Sequence, residues 1–137
     1  MRGKFIHGNE ALWTTNVAEQ NAILKNPGAC YRPSVTFDAG LSRFLLVQAK
    51  PNPRSHDAAG KIDVRFHGGL VIYEAPQPWG PWSVAFETDD WDVGPGDSAS
   101  FPSKWISSDG CTLDLVFSGN DDFAVRRAEI ILQNTAQ

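Results

Sequence analysis

Apolar and polar residues alternate with a period of two along most of this chain, and the alternating runs are closed by Gly, Pro, Asn or Asp. That is the pattern of half-buried strands joined by tight turns. Two stretches seventy positions apart carry the same arrangement. Val35-Thr36-Phe37-Asp38-Ala39-Gly40 leads into Arg43-Phe44-Leu45-Leu46-Val47, and Trp105-Ile106-Ser107-Ser108-Asp109-Gly110 leads into Leu113-Asp114-Leu115-Val116-Phe117. An aromatic residue, Tyr31 or Phe101, stands upstream of each. Each copy predicts strand, turn, strand: the Asp bonds its own main chain and the Gly accepts a left-handed backbone. A supersecondary unit repeated at this period implies units that stack to share a core.

The remainder of each unit can be followed. A polar loop covers residues 51–61, and Gly69-Leu70-Val71-Ile72-Tyr73-Glu74-Ala75 reads as a third strand. Three prolines and a glycine in Pro76-Gln77-Pro78-Trp79-Gly80-Pro81 force a turn, since proline has no N–H for a ladder. Trp82-Ser83-Val84-Ala85-Phe86-Glu87 then reads as a fourth, outer strand. In the second unit the turn is Ser118-Gly119-Asn120-Asp121-Asp122, and residues 123–132 form the third strand. No fourth strand follows. Leu12-Trp13-Thr14-Thr15 resembles Pro81-Trp82-Ser83-Val84, so residues 1–15 are expected to supply a closing strand from the other end of the chain. The chain thus divides into residues 1–15, a first blade-like unit at 29–90 and a second at 97–133, within one domain. Residues 16–29 are an irregular connector ended by Asn26-Pro27-Gly28. Expected inward positions are Val35, Phe37, Leu45, Val47, Val71, Tyr73, Leu115, Phe117, Val125 and Ile130.

Composition fits an all-β fold with a core: 42% of the 137 residues are hydrophobic, enough to build one domain. Twelve basic against sixteen acidic residues leave a formal charge of −4. No basic stripe accompanies it, which argues against a nucleic-acid partner. No apolar run is long enough for a bilayer-spanning helix, so no membrane partner is expected. If Met1 is the true start, the absence of a signal-peptide core makes the location cytoplasmic. Cys30 and Cys111 lack zinc-ligand spacing and are expected to be two buried thiols.

Several segments together suggest a family. They are Gly28-Ala29-Cys30-Tyr31-Arg32-Pro33, Ile72-Tyr73-Glu74-Ala75 with Pro78-Trp79-Gly80-Pro81-Trp82, and Phe101-Pro102-Ser103-Lys104-Trp105 with Phe117-Ser118-Gly119. The chain resembles the C-terminal half of glycoside-hydrolase-like five-bladed β-propeller proteins, whose distant relatives include arabinanases, β-xylosidases and levansucrases. The resemblance runs over residues 5–132. It implies a partial β-propeller of two antiparallel blade-like sheets, shorter than the family's usual length and completed by homo-oligomerisation. Closure of a propeller takes at least about four blades.

Such hydrolases carry acids on the inner strands of several blades, and their chemistry needs two carboxylates about 5–9.5 Å apart. The first unit's inner strand presents Arg32, and the second presents Asp97. Asp97 is therefore the candidate catalytic residue, and its other reading is a turn residue after Gly94-Pro95-Gly96. Asp89, Asp90 and Asp92 are candidate oxygen ligands for a metal such as calcium, although their spacing also suits a solvated connection between sheets. His7, His56 and His67 share no ligand spacing, so no cofactor is expected. Trp and Tyr faces stack on sugar rings. Trp13, Trp79 and Trp82 read as packing between blades. Trp91 and Trp105, with Tyr31 and Arg32, form the candidate ligand-binding set.

Three functions fit these residues. One is a non-catalytic module that binds an oligosaccharide or another partner. A second is a glycoside hydrolase whose site is completed between subunits, and a third is a fragment without a ligand site.

Overall fold

The computed structural model describes residues 3–7, 10–27, 30–50, 52, 60, 67–91 and 93–132. The protein is all-β. Among the described residues nine strands form, β1 (Gly3–His7), β2 (Glu10–Thr14), β3 (Tyr31–Asp38), β4 (Arg43–Lys50), β5 (Gly69–Ala75), β6 (Ser83–Thr88), β7 (Ala99–Ser100), β8 (Thr112–Phe117) and β9 (Ala124–Glu129). The only helical pieces among the described residues are three single 3₁₀ turns. Two antiparallel blade-like meanders dominate, β3-β4-β5-β6 and β7-β8-β9, and they do not close into a barrel. A separate two-stranded hairpin, β1-β2, precedes them.

The two sheets share one core. Leu45 and Val47 of β4 and Leu70 of β5 pack with Ala99, Phe101, Leu113, Leu115 and Phe117 of the second sheet. The repeat keeps its phase here, because Leu45 corresponds to Leu115 and Val47 to Phe117, and all four are buried. The second copy departs from the first on the strand before the turn. β7 is only two residues long, Pro102 removes a donor, and a 3₁₀ turn at Ser103–Trp105 interrupts pairing until Ile106 bridges to Leu113.

Strand phase corrects part of the expected core. Thr36 Oγ1 donates to the Phe101 carbonyl at 2.7 Å, so the Thr36 face of β3 meets the second sheet. Val35 and Phe37 point the other way, and they are 45% and 47% exposed. With a period of two, one residue decides the face of the whole strand. Val71 and Tyr73 are buried as expected, but they belong to an outer cluster with Leu46, Leu24 and Trp82. The partners of the inter-sheet core on β5 are Leu70 and Ile72. Asn26 Nδ2, on the connector, donates to the Tyr73 hydroxyl at 3.3 Å and helps lay that segment over the outer face. On β9, Val125 is exposed, while Ala124, Ala128 and Ile130 pack inward.

The two Asp-Gly turns hold themselves and each other. Asp38 Oδ1 accepts from Leu41 N–H at 3.1 Å, and Asp109 Oδ1 accepts from Cys111 N–H at 3.0 Å. Gly110 is left-handed at φ +76°, as the motif predicts. In the first turn the left-handed residue is Ser42, not Gly40. Gly40 serves a different need: a Cβ there would lie 2.2 Å from the backbone nitrogen of Gly110. The repeated turns are in direct contact.

Asp109 also makes the second turn sensitive to acid. The Ser107 hydroxyl, at 2.5 Å, and then the Cys111 N–H hold its carboxyl below the ordinary range. A carboxyl depressed in the folded state contributes stability above its unfolded pKa and loses it as pH falls through the folded value. The expected result is a urea midpoint that drops between neutral pH and pH values below the ordinary carboxylate range, with part of the drop missing in Asp109→Asn. Identical pH profiles for the two proteins would contradict the assignment.

The N-terminal segment pairs within its own chain. Lys4 faces Trp13 and Phe5 faces Leu12 across the β1-β2 hairpin. Trp13 is not core: it is 63% exposed and meets Trp79 edge-on, with ring centroids 6.4 Å apart. In this chain β9 pairs with β8 on one side, and no described strand lies on the other. The sheet edges carry devices that discourage pairing. The pairing register shifts in β3 between Tyr31 and Ser34, where Pro33 sits, and shifts again between β5 and β6. β9 carries Arg126, Arg127 and Glu129.

Both cysteines are free thiols, and their exposure corrects the sequence reading. Cys30 is exposed and Cys111 is half-buried.

Candidate functional site

Two residues singled out in the sequence, Arg32 and Asp97, are brought together from 65 positions apart. Arg32 Nη1 lies 3.2 Å from Asp97 Oδ2, with side chains 70% and 45% exposed. An ion pair this open is worth at most about 1 kcal/mol, so its interest lies in position. Arg32 precedes Pro33 and has φ +34°, a sparsely populated conformation for a residue before proline. Strain of this kind is often kept where a side chain has to be aimed.

Asp97 is held from behind. Gly94-Pro95-Gly96 is buried, and a Cβ on Gly96, at φ +74°, would lie 2.2 Å from the Ser118 carbonyl oxygen. Asp97 N–H donates to Ser118 Oγ and Gly94 N–H donates to Asn120 Oδ1, each at 3.0 Å. The loop after Trp91 is therefore laced to the β8-β9 turn. That turn contains two consecutive left-handed residues, Asn120 and Asp121. It places Asp122 and a 77% exposed Phe123 in the lining of the same concavity as Arg32.

Between the start of β3 and these two loops runs a groove of about 490 Å³. Its polar lining is Arg32, Ser34, Ser98, Ser100, Ser118, Asp121 and Asp122, and Phe123 belongs to the same wall. Its surroundings offer hydroxyls, carboxylates, a guanidinium and one open aromatic ring. That set hydrogen-bonds and stacks; with a concave shape it suits a polyhydroxylated ligand.

The other candidates lie elsewhere. Tyr31 is in β3 paired with Ala49, and its side chain lies outside the described ones. Trp91 is committed to the protein: its ring stacks on Phe117 at 4.9 Å, and the Arg126 guanidinium lies over it at 5.0 Å. Trp105 is 48% exposed but belongs to the 3₁₀ turn near Leu113, at the opposite end of β8 from the groove. Val35, the equivalent residue of the first unit, is exposed to a similar degree.

The acidic connector is tied up in pairs. Asp89 lies 2.6 Å from Lys50 Nζ, and Glu87 pairs with the same ammonium. Hydrogen bonds donated by its ammonium to Asp89 and then to Glu87 raise the Lys50 amine above its ordinary value. Asp90 accepts from Asn52 Nδ2, and Asp92 lies outside the described residues. Among the described residues, no three His, Cys, Asp or Glu side chains converge as metal ligands. His67 is exposed, whereas His56 and the side chain of His7 are outside the described set.

Sequence reasoning missed Ser34, Ser100, Ser118, Asp122 and Phe123. The sequence pattern places Phe123 at the start of a strand. Its position directly after Asn120-Asp121-Asp122, one residue ahead of the alternation, was the available signal.

No family model, curated protein or solved structure matches the chain. No helix among the described residues is long and apolar enough to cross a membrane.

Proposed function

We propose that the protein is a non-catalytic binding module that takes an oligosaccharide in the groove beside Arg32. The observation that carries this reading is the convergence of Arg32, Asp122, four serines and the exposed Phe123 ring on one concavity, with Asp97 paired to Arg32. An open ring beside hydroxyls and charged groups matches a sugar, whose C–H face stacks while its hydroxyls hydrogen-bond. The resemblance to glycosidase-like propellers supports the same substrate class.

The test is amide NMR with a panel of neutral, cationic and anionic oligosaccharides. Binding of at least one class, with shifts at Ser34, Ser100, Ser118 and Phe123, is the expected result. Phe123→Ala should weaken it by about tenfold, the order of one lost stacking contact. Silence across the whole panel would end the carbohydrate reading.

A hydrolase reading keeps one supporting observation, that Asp121 and Asp122 line the groove while Asp97 pairs with Arg32 of its wall. It requires turnover of aryl glycosides that disappears in Asp97→Asn. Completion of such a site by a second copy would appear as a dimer or larger species by light scattering.

A further inference from the structure

We infer that the groove selects a cationic amino-sugar oligomer, an inference that rests on the oligosaccharide reading above. Among the described residues lining the groove, Arg32 is the one cation, and its guanidinium already meets Asp97 at 3.2 Å. Asp122 lines the same groove, which sets a second carboxylate, besides Asp97, against one guanidinium. A uronate or sulfated sugar entering there would bring like charge against those carboxylates. An ammonium on the sugar ring would instead meet the Asp122 carboxylate in a charge-assisted hydrogen bond.

Phe123 is an independent pointer to the same class. Its ring is 77% exposed, directly follows Asp122 and lines the groove. An aromatic face attracts a cation through its quadrupole and also accepts the apolar face of a pyranose. An amino sugar offers both at once. The serines lining the groove serve the remaining hydroxyls, since each can donate and accept. The chain's overall charge of −4 favours encounter with a cationic ligand.

The experiment titrates the full chain, by calorimetry and amide NMR, with four probes. They are glucosamine tetrasaccharide, N-acetylglucosamine tetrasaccharide, galacturonic acid tetrasaccharide and tetralysine. The pH is kept where the amino sugar is protonated. Glucosamine tetrasaccharide should bind about tenfold tighter than its N-acetylated counterpart, the order expected of one hydrogen bond to a charged group. Asp122→Asn should erase that difference, and Asp122→Glu should restore part of it. Both substitutions are at an exposed residue, and an unchanged thermal midpoint verifies their folding.

Equal affinity for the two amino-sugar probes, with shifts in the groove, would overturn charge selection and leave the oligosaccharide reading standing. Tighter binding of the galacturonate probe would overturn it in the same way. Tetralysine binding as tightly as glucosamine tetrasaccharide would overturn it too, because attraction would then need no sugar. No response to any saccharide would remove both readings.

Discussion

Phe101→Ala should lower the stability of the protein by about 3–5 kcal/mol, the range for emptying a buried aromatic site. Phe101 is 2% exposed, and it lies in the cluster that joins Leu45, Val47 and Leu70 of the first sheet to Leu113, Leu115 and Phe117 of the second. Its carbonyl accepts the Thr36 hydroxyl across the same interface, so the backbone at this point is fixed from the opposite sheet. The cavity would have little freedom to collapse, and limited collapse is what drives the cost toward the upper end. Because whole domains are stable by only about 5–15 kcal/mol, the variant should unfold at a much lower urea concentration. Phe101→Leu, which keeps most of the volume, should cost well under half as much. A loss below about 1 kcal/mol for the alanine variant would mean that the two sheets do not share a single core.

Gly110→Ala should be nearly as damaging, at about 2–4 kcal/mol, through two effects that act together. The residue sits at φ +76°, where an L side chain costs roughly 1–2 kcal/mol on its own. A Cβ would also lie 2.4 Å from Asp38 Oδ1 and 2.7 Å from the Leu41 side chain. Relief would require Asp38 to move, and Asp38 is fully buried and caps its turn through Leu41 N–H. Its Oδ2 has no hydrogen-bond partner among the described residues, so displacement leaves the carboxylate with even less compensation. Gly40→Ala offers a comparison without the backbone term, because Gly40 is not left-handed and its Cβ would strike the Gly110 backbone nitrogen. Both variants force the two turns apart, so the double variant should cost less than the sum of the singles. Strict additivity, or a loss under about 0.5 kcal/mol in Gly110→Ala, would show that the turns do not bear on each other.

The period-two alternation and the paired Asp-Gly turns were sufficient to read out strands β3, β4, β5, β6 and β8 and their antiparallel order. The reason is local: left-handed tolerance at Gly110, proline exclusion at residues 76–81 and β-branched runs at Val71-Ile72 act within a few residues of chain. The repeat alignment implies a continuous strand through Pro102, whereas pairing breaks there. The pairing of β2 with β1 is a backbone register between positions such as Lys4 and Trp13, and nothing in Gly3-Lys4-Phe5-Ile6-His7 marks that partner more strongly than the outer edge of another sheet. Of the proposed site, Arg32 and Asp97 were legible as chemistry on equivalent inner strands. Trp91 and Trp105 were legible only as aromatics, and whether an aromatic ring is open or stacked depends on neighbours such as Phe117 and Arg126.

The sequence by itself determined that this chain is all-β, where most of its strands begin and end, and that two similar units face one another. Those properties follow from steric and hydrogen-bonding preferences that each short segment carries with it. Only the tertiary structure decided which face of β3 meets the second sheet. Val35 and Thr36 are both acceptable strand residues, and the choice is made by Thr36 reaching the Phe101 carbonyl from 65 positions away. The groove was decided at the same level. Arg32 is aimed by its own strained backbone, while Asp97 and Asp122 are aimed by loops laced through Ser118 and Asn120. Their meeting is a property of how the two sheets pack, because a short-range pattern holds no information about distances between residues that only the core brings together.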